Sequence, residues 1–237
     1  MYVRRRGTLV EVETPAKVNL FLEVLSRRAD GFHEIETLMV PIGLFDRVSL
    51  AANSTGTLSL TCRWSCGVES QRRRRGTTDA SVWEAIPAGA DNLLLKSVRR
   101  LRELSGVQQG ADIALVKRIP AAAGLGGASS DAAAGLVAAN IAWGLGWSRQ
   151  RLAAVAAELG SDVPFFLQGG PCLCRGRGER IEGVSGWRPL HLVVVRPPGG
   201  LSTAQVYGAC RPADRPRSAG AIVDAVRCGD AASVGRL

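Results

Sequence analysis

Between a strand-like run over 112–118 and a helix-like run over 130–145 lies Pro120-Ala-Ala-Ala-Gly-Leu-Gly-Gly-Ala-Ser-Ser-Asp131. A strand, a tight glycine-rich turn and a helix in direct succession restrict the chain to a small set of α/β arrangements. Glycine takes φ > 0 without steric cost and lets the main chain approach another group closely. The first N–H groups of a helix lack intrahelical acceptors and sit at the positive end of its dipole. A turn of this kind, ending in Ser129 and Ser130, is suited to hold phosphate. It matches neither common nucleotide fingerprint: G-x-x-x-x-G-K-[ST] is absent, and Gly124-Leu-Gly126 runs into Gly127 without completing G-x-G-x-x-G. On this segment alone, a tight turn with no ligand stays open.

The residues ahead of the turn read mostly as strand. Residues 8–14 alternate, 18–25, 34–42 and 47–51 are rich in apolar and β-forming residues, and 57–62 alternate again. Breaks are expected at Pro15, Ala29-Asp-Gly31 and Asn53-Ser-Thr55. Residues 63–90, with Arg72-Arg-Arg-Arg75 and Pro87-Ala-Gly89, read as an inserted surface loop. Leu94, Leu95, Val98 and Leu101 give a helix over 93–104 one apolar side. Ser148 can cap a further helix that Gly160 stops. Ser161-Asp-Val-Pro164 is a turn, and 172–175 and 190–196 are strand-like. After a break at Pro197-Pro-Gly-Gly200, short helices are expected over 203–207 and 219–226. Early strands, then helices, then strands predict an α+β fold with mixed or antiparallel sheets.

At 237 residues and 46% hydrophobic content, the chain can bury one large core or two small ones. No run of 18 apolar residues is present, so no membrane span is expected. The opening Met1-Tyr-Val-Arg-Arg-Arg-Gly7 lacks the apolar stretch of a signal peptide, which makes a cytoplasmic protein the expectation. The six cysteines, spaced C-x3-C and C-x-C with two apart, make no convincing zinc site and read as free thiols. A net charge of +9 favours anionic ligands without choosing among nucleotide, phosphate and nucleic acid. Of the 30 basic residues only Lys17, Lys96 and Lys117 are lysines. They stand out because arginine does not replace a compact ammonium where a point charge is needed.

Three more segments carry chemistry. Pro15-Ala-Lys-Val-Asn19 puts Lys17 and Asn19 on one face of a strand. Arg28-Ala-Asp-Gly-Phe-His33 is a turn that sets a histidine beside an aromatic ring, and Gly160-Ser-Asp-Val-Pro164 holds Asp162 between a helix end and a proline. Each alone reads as well as an exposed lysine, a packed turn or a plain turn aspartate. Taken in this order with the glycine loop, from about residue 12 to 207, they resemble the 4-diphosphocytidyl-2-C-methyl-D-erythritol kinase family of the GHMP small-molecule kinases.

That resemblance implies transfer of the γ-phosphoryl group of ATP to a hydroxyl of 4-diphosphocytidyl-2-C-methyl-D-erythritol, in non-mevalonate isoprenoid precursor synthesis. It implies a ribosomal-protein-S5-like domain over 1–187 and a partial ferredoxin-like domain over 188–237. By the same resemblance Asp162 accepts the hydroxyl proton, Lys17 is its basic partner and Asn19 orients the pair. An ammonium at that place would hold Asp162 ionised. Pro120, Gly124, Leu125, Gly126, Gly127, Ser129 and Ser130 would cradle the ATP phosphates, with Ser129 or Ser130 near Mg²⁺. Asn92 would lie near the adenine and Lys117 at the same nucleotide edge. Phe32 and His33 would take the cytosine, with Thr203 and Tyr207 as a second wall.

Family members carry a further glycine-rich motif toward their C-terminus, and none follows Pro197-Pro-Gly-Gly200. The second half is therefore expected to be incomplete, and an inactive truncated copy is one alternative. Another is a GHMP kinase acting on homoserine, mevalonate or a sugar, against which the Phe32-His33 pair speaks. A basic nucleic-acid-binding module using Arg72 to Arg75 is a third, and it leaves Lys17, Asp162 and the serines unexplained. The ligands expected are ATP, Mg²⁺ and a cytidine diphosphate alcohol, on a monomer or homodimer.

Overall fold

The computed structural model describes residues 1–74, 86–87, 89–195 and 203–235, without the side chains of 71–74, 203, 204 and 231. In chain order the elements are strands β1 (Tyr2–Arg6), β2 (Leu9–Arg27), β3 (His33–Asn53) and β4 (Leu58–Trp64), then helices α1 (Cys66–Arg74) and α2 (Leu93–Ser105). Strand β5 (Gly110–Lys117) leads to α3 (Gly127–Ala142), α4 (Arg149–Leu159) and α5 (Val163–Gln168). Strands β6 (Cys172–Gly176) and β7 (Arg180–Gly183) precede α6 (Thr203–Ala209), α7 (Gly220–Cys228) and α8 (Ala231–Val234).

The seven strands make one sheet in the order β1-β2-β3-β5-β4, with β6 on β3 and β7 on β6. Among the described strands only the β4–β5 pair is parallel. This is the mixed α+β sheet that the pattern predicts. Strand β2 is not interrupted at Pro15, as the sequence suggests. It runs through with a register shift between Pro15 and Ala16. Proline has no N–H for a ladder, and a bulge is where a strand accommodates it.

Strand β3 organises the sheet. One edge pairs with β2 along nearly its whole length. The other edge is shared: Ile35 to Met39 pair with β6, and Arg47 to Asn53 pair with β5. Residues 40–46 belong to neither of these two ladders, so the sheet forks there.

Helices α2 to α5 cover one face. Val10, Val48, Leu50, Ile113 and Leu115 of the strands pack there with Leu94, Val98, Leu101, Leu136 and Phe165. Small residues let α3 lie close to α2: a Cβ at Gly135 would come 2.4 Å from Leu94 Cδ1. Met39 of β3 also joins that core; side chains alternate along a strand, so its neighbours Leu38 and Val40 face the other way and pack against Ile222, Val223 and Val226 of α7. Glu36 Oε1 accepts the Ala219 N–H at 2.7 Å and ties the start of α7 to β3.

Other expectations shift. The helix after the glycine loop begins at Gly127, three residues before Ser130. Part of the expected 63–90 loop is the helix α1, while 75–85 and 88 lie outside the described residues, as do Pro197 to Gly200. Residues 163–168, read as following a turn, form α5, with Pro164 in the first turn, where its missing N–H costs nothing. Residues 190–195 form no strand, and Val193 is 91% exposed. Alternation yields a strand only where an edge offers hydrogen bonds, and no described element pairs with this segment. Among the described residues, no helix is long and apolar enough to cross a membrane.

Candidate active site

The glycine-rich loop leaves β5 and enters α3 through strained backbone. Ala122 has φ 50°, and Gly124 and Gly126 have φ 70° and 69°. A Cβ at Gly126 would lie 2.9 Å from both Lys17 Cγ and Phe166 Cζ. The Lys17 N–H donates to Leu125 O at 3.0 Å, which stitches the loop to β2 just past its bulge. Ser129 lines the adjoining cavity. Ser130 does not: its hydroxyl is fully buried, donates to Pro15 O at 2.6 Å and lies 2.6 Å from the Thr14 hydroxyl. Successive helical residues point about 100° apart, so only one of two adjacent serines can face the loop mouth. A positive-φ turn, a glycine where no Cβ fits and one free hydroxyl suit a bound phosphate chain.

Across the cavity mouth stands the pair that the sequence singled out. Lys17 Nζ lies 3.6 Å from Asp162 Oδ2, with side chains 10% and 37% exposed. Asp162 occupies the position before α5, in the turn where α4 has just ended. Lys17 Nζ donates to Asn19 Oδ1 at 2.6 Å, as two same-face strand residues can. Asn19 Nδ2 donates to Thr37 Oγ1 at 2.7 Å, and Thr37 donates to Phe21 O at 2.6 Å. This relay fixes the amide flip and aims the ammonium. Thr37 was not anticipated; it is buried near the start of β3, and nothing in its sequence context marks it. Burial pushes the nearby Cys174 thiol up to about 12, with Cys172 and Asp162 adding to the shift, so it is neutral.

The cavity has a volume of about 1410 Å³. That exceeds the roughly 300–1,000 Å³ of a single small-ligand pocket. Its far side is the Arg28-to-His33 turn. Asp30 Oδ1 accepts the Phe32 N–H at 3.1 Å, Arg28 N donates to Phe32 O at 2.8 Å, and Gly31 takes φ 85°. Phe32 is thereby presented 51% exposed. His33 stacks on Tyr207 of α6 with centroids 5.3 Å apart and planes at 28°. Burial raises the Tyr207 phenol above its ordinary pKa, and Asp162 adds to the effect. Arg177, from the turn between β6 and β7, holds its guanidinium 4.7 Å from the Phe32 ring centre. Sequence reading missed it; its signal was the basic, glycine-flanked turn Gly176-Arg-Gly178. Thr203 opens α6, and its side chain lies outside the described residues.

Two residues expected at the nucleotide edge are brought elsewhere. Asn92 caps α2: its Oδ1 accepts the Leu94 N–H at 2.9 Å and its Nδ2 donates to Pro87 O at 2.5 Å. Lys117 is buried between Asp46 and Asp131. Neither lines the cavity, nor do Pro120 and Gly127, which frame the loop from its ends.

Residues 92–170 match the model of the GHMP kinases N terminal domain. A 4-diphosphocytidyl-2-C-methyl-D-erythritol kinase from Pelotomaculum thermopropionicum is 45% identical over 221 residues, covering 92% of this chain and 70% of that protein. The chain belongs to the 4-diphosphocytidyl-2-C-methyl-D-erythritol kinase family. A kinase of the same name from a Synechococcus species is 46% identical over 86% of this chain and 61% of its own length. A crystal structure of 4-(cytidine 5'-diphospho)-2C-methyl-D-erythritol kinase superposes with a TM-score of 0.64 at 34% identity, over 92% of this chain and 72% of that one. The GHMP kinase fold expected from the motifs is thus the fold of this family member. The chain spans between 61% and 70% of the length of these two curated relatives.

Proposed function

We propose that this chain transfers the γ-phosphoryl group of ATP to a hydroxyl of 4-diphosphocytidyl-2-C-methyl-D-erythritol, a step of the non-mevalonate route to isoprenoid precursors. One observation carries the reading: the Lys17–Asp162 pair stands in a single cavity between the glycine-rich loop and the Phe32, His33 and Tyr207 rings. Phosphoryl transfer asks for alignment and charge neutralisation more than for covalent chemistry. Asp162 Oδ2 accepts the proton of the attacking hydroxyl. Lys17, held by Asn19, puts its ammonium where negative charge grows on the transferred group. The backbone N–H groups at the start of α3 receive the phosphates, and the Ser129 hydroxyl is the side chain placed for the metal. When bound, ATP supplies the phosphoryl group and Mg²⁺ neutralises its oxygens. Phe32 and the His33–Tyr207 stack take the cytosine, since flat rings offset at 4.5–7 Å attract one another.

In this reading residues 1–187 form the nucleotide-binding domain and 188–237 belong to a substrate-side domain that contributes Tyr207. The protein works in the cytoplasm, as a monomer or homodimer. An assay coupling ADP release to NADH oxidation, run with and without the cytidylyl alcohol, tests the proposal. Alcohol-dependent ADP release is expected; turnover of homoserine or mevalonate instead would sink it. Asp162→Ala is expected to lower kcat by about 10²-fold or more, with the KM for ATP within about twofold. Unchanged turnover would remove Asp162 from the proton-accepting role.

A further inference from the structure

We propose that Asp46, Lys117 and Asp131 form a clamp that sets the spacing of the two stems of the glycine-rich loop, acting as positioning residues and not as nucleotide ligands. The inference rests on the phosphate-holding reading of that loop.

The clamp sits where the sheet forks. Strand β5 pairs with β3 as far as Val116 opposite Arg47, and the chain then departs toward the loop. One residue past the ladder, the Asp46 side chain takes over from the missing strand edge. Its Oδ1 accepts the Arg118 N–H at 2.5 Å and the Ile119 N–H at 2.9 Å. Its Oδ2 accepts from Lys117 Nζ. The same ammonium donates to Asp131 Oδ2 at 2.8 Å, on the second turn of α3. One lysine therefore joins the stem that enters the loop to the stem that leaves it.

The site is built for that reach. The three side chains are 0–7% exposed. A Cβ at Gly127 would lie 3.0 Å from Lys117 Nζ, so glycine at the first position of α3 lets the ammonium pass beneath the loop. None of the three lines the cavity. Both Asp46 oxygens accept, from three donors in all. Asp131 Oδ1 is buried without a partner. Burial pushes the Asp131 carboxyl well above the usual carboxylate range, Lys117 opposes the shift, and Asp46 adds to it. Lys117 is penalised by burial too, yet its two carboxylates outweigh that and raise its pKa. A buried ion pair is a weak source of net stability. What this one does supply is a fixed distance between two stems.

The test uses the full chain. Lys117→Met, Asp46→Asn and the double variant are compared by amide hydrogen exchange without ligand, and by calorimetric binding of Mg–AMP-PNP and of CDP. Lys117→Met and Asp46→Asn are each expected to speed exchange over 118–131 while α2 stays protected. Each is expected to weaken AMP-PNP binding about tenfold, with CDP affinity held within about twofold. The double variant is expected to be no worse than the worse single, because both cut one device. If Lys117→Met alone does not fold, Lys117→Met with Asp131→Leu removes the ion pair without stranding Asp131 and is expected to give the same loss. Weakened AMP-PNP binding in Lys117→Met but not in Asp46→Asn would make the lysine a direct ligand and overturn the clamp. Unchanged exchange over 118–131 in both single variants would overturn it as well. A parent chain that binds no AMP-PNP would defeat the phosphate reading of the loop, and the exchange measurement would still decide the clamp.

Discussion

Gly126 answers to two demands at once. Its φ of 69° disfavours any side chain, and a Cβ there would press on Lys17 and Phe166. Gly126→Ala is therefore expected to cost about 1–3 kcal/mol in urea unfolding, and to lower kcat further because the displaced group is the Lys17 stem. A kcat equal to the parent's would show that the Lys17 position tolerates the intrusion. Asp131 gives a second residue-level prediction. Its carboxyl holds a proton more tightly in the native protein than the ordinary value of 3.8 allows. As pH rises above that value the unfolded chain releases its proton first, so stability falls until the native carboxyl ionises too. Asp131→Asn keeps an oxygen for Lys117 and removes the proton. The loss of unfolding free energy between pH 5 and pH 8 should then be smaller in Asp131→Asn than in the parent. An identical slope in the two proteins would contradict this. The sequence makes the Lys17–Asn19 pairing legible, because strand periodicity alone puts residues two apart on one face. It cannot make Ser130, Asn92 or Lys117 legible in the same way. Whether a polar group next to a loop faces a cavity or a buried partner depends on tertiary neighbours, and a helix starting three residues early turns Ser130 inward.

Elements with their own end signals are read correctly from sequence. Ser148 caps α4 by accepting the Arg151 N–H at 3.2 Å, and Gly160 ends it. Strands are harder, because half of a strand's requirement lies on another segment. Pro15 looks like a stop, yet the β2–β3 register absorbs it as a bulge. Residues 190–195 look like a strand, yet no described edge receives them. Helix α7 is amphipathic in sequence, but only the fold reveals that its apolar side meets the sheet face opposite α2 to α5. Ile222 is 2% exposed at the centre of that contact. Ile222→Ala is expected to destabilise the protein by about 2–5 kcal/mol in urea unfolding. A change under about 0.5 kcal/mol, the range of surface substitutions, would mean that α7 is not anchored there.

At the scale of the molecule, the order of four short motifs carries the family, and the fold brings all four to one cavity. Their contributions come from β2, the β2–β3 turn, the β5–α3 loop and the α4–α5 turn, with Tyr207 arriving from α6. The cavity itself is not legible in the sequence, since its size depends on how far apart the sheet, the helices and α6 settle. The fork in β3 also bears on biosynthesis. A chain emerging from the ribosome can close the β2–β3 hairpin on its own, because those strands are adjacent in sequence. The two arms of the fork then offer separate berths, so β5 and β6 can dock on the same strand edge without competing for it. The packing of α7 on Leu38 and Val40, the bond from Ala219 to Glu36 and the Tyr207–His33 stack await the late segments. The glycine-rich loop and the Phe32–His33 turn can thus both be in place on a nascent chain before Tyr207 arrives to stack on His33. On the proposed reading, a ribosome-bound intermediate would have its phosphate-holding loop complete while the wall facing the alcohol still lacked Tyr207.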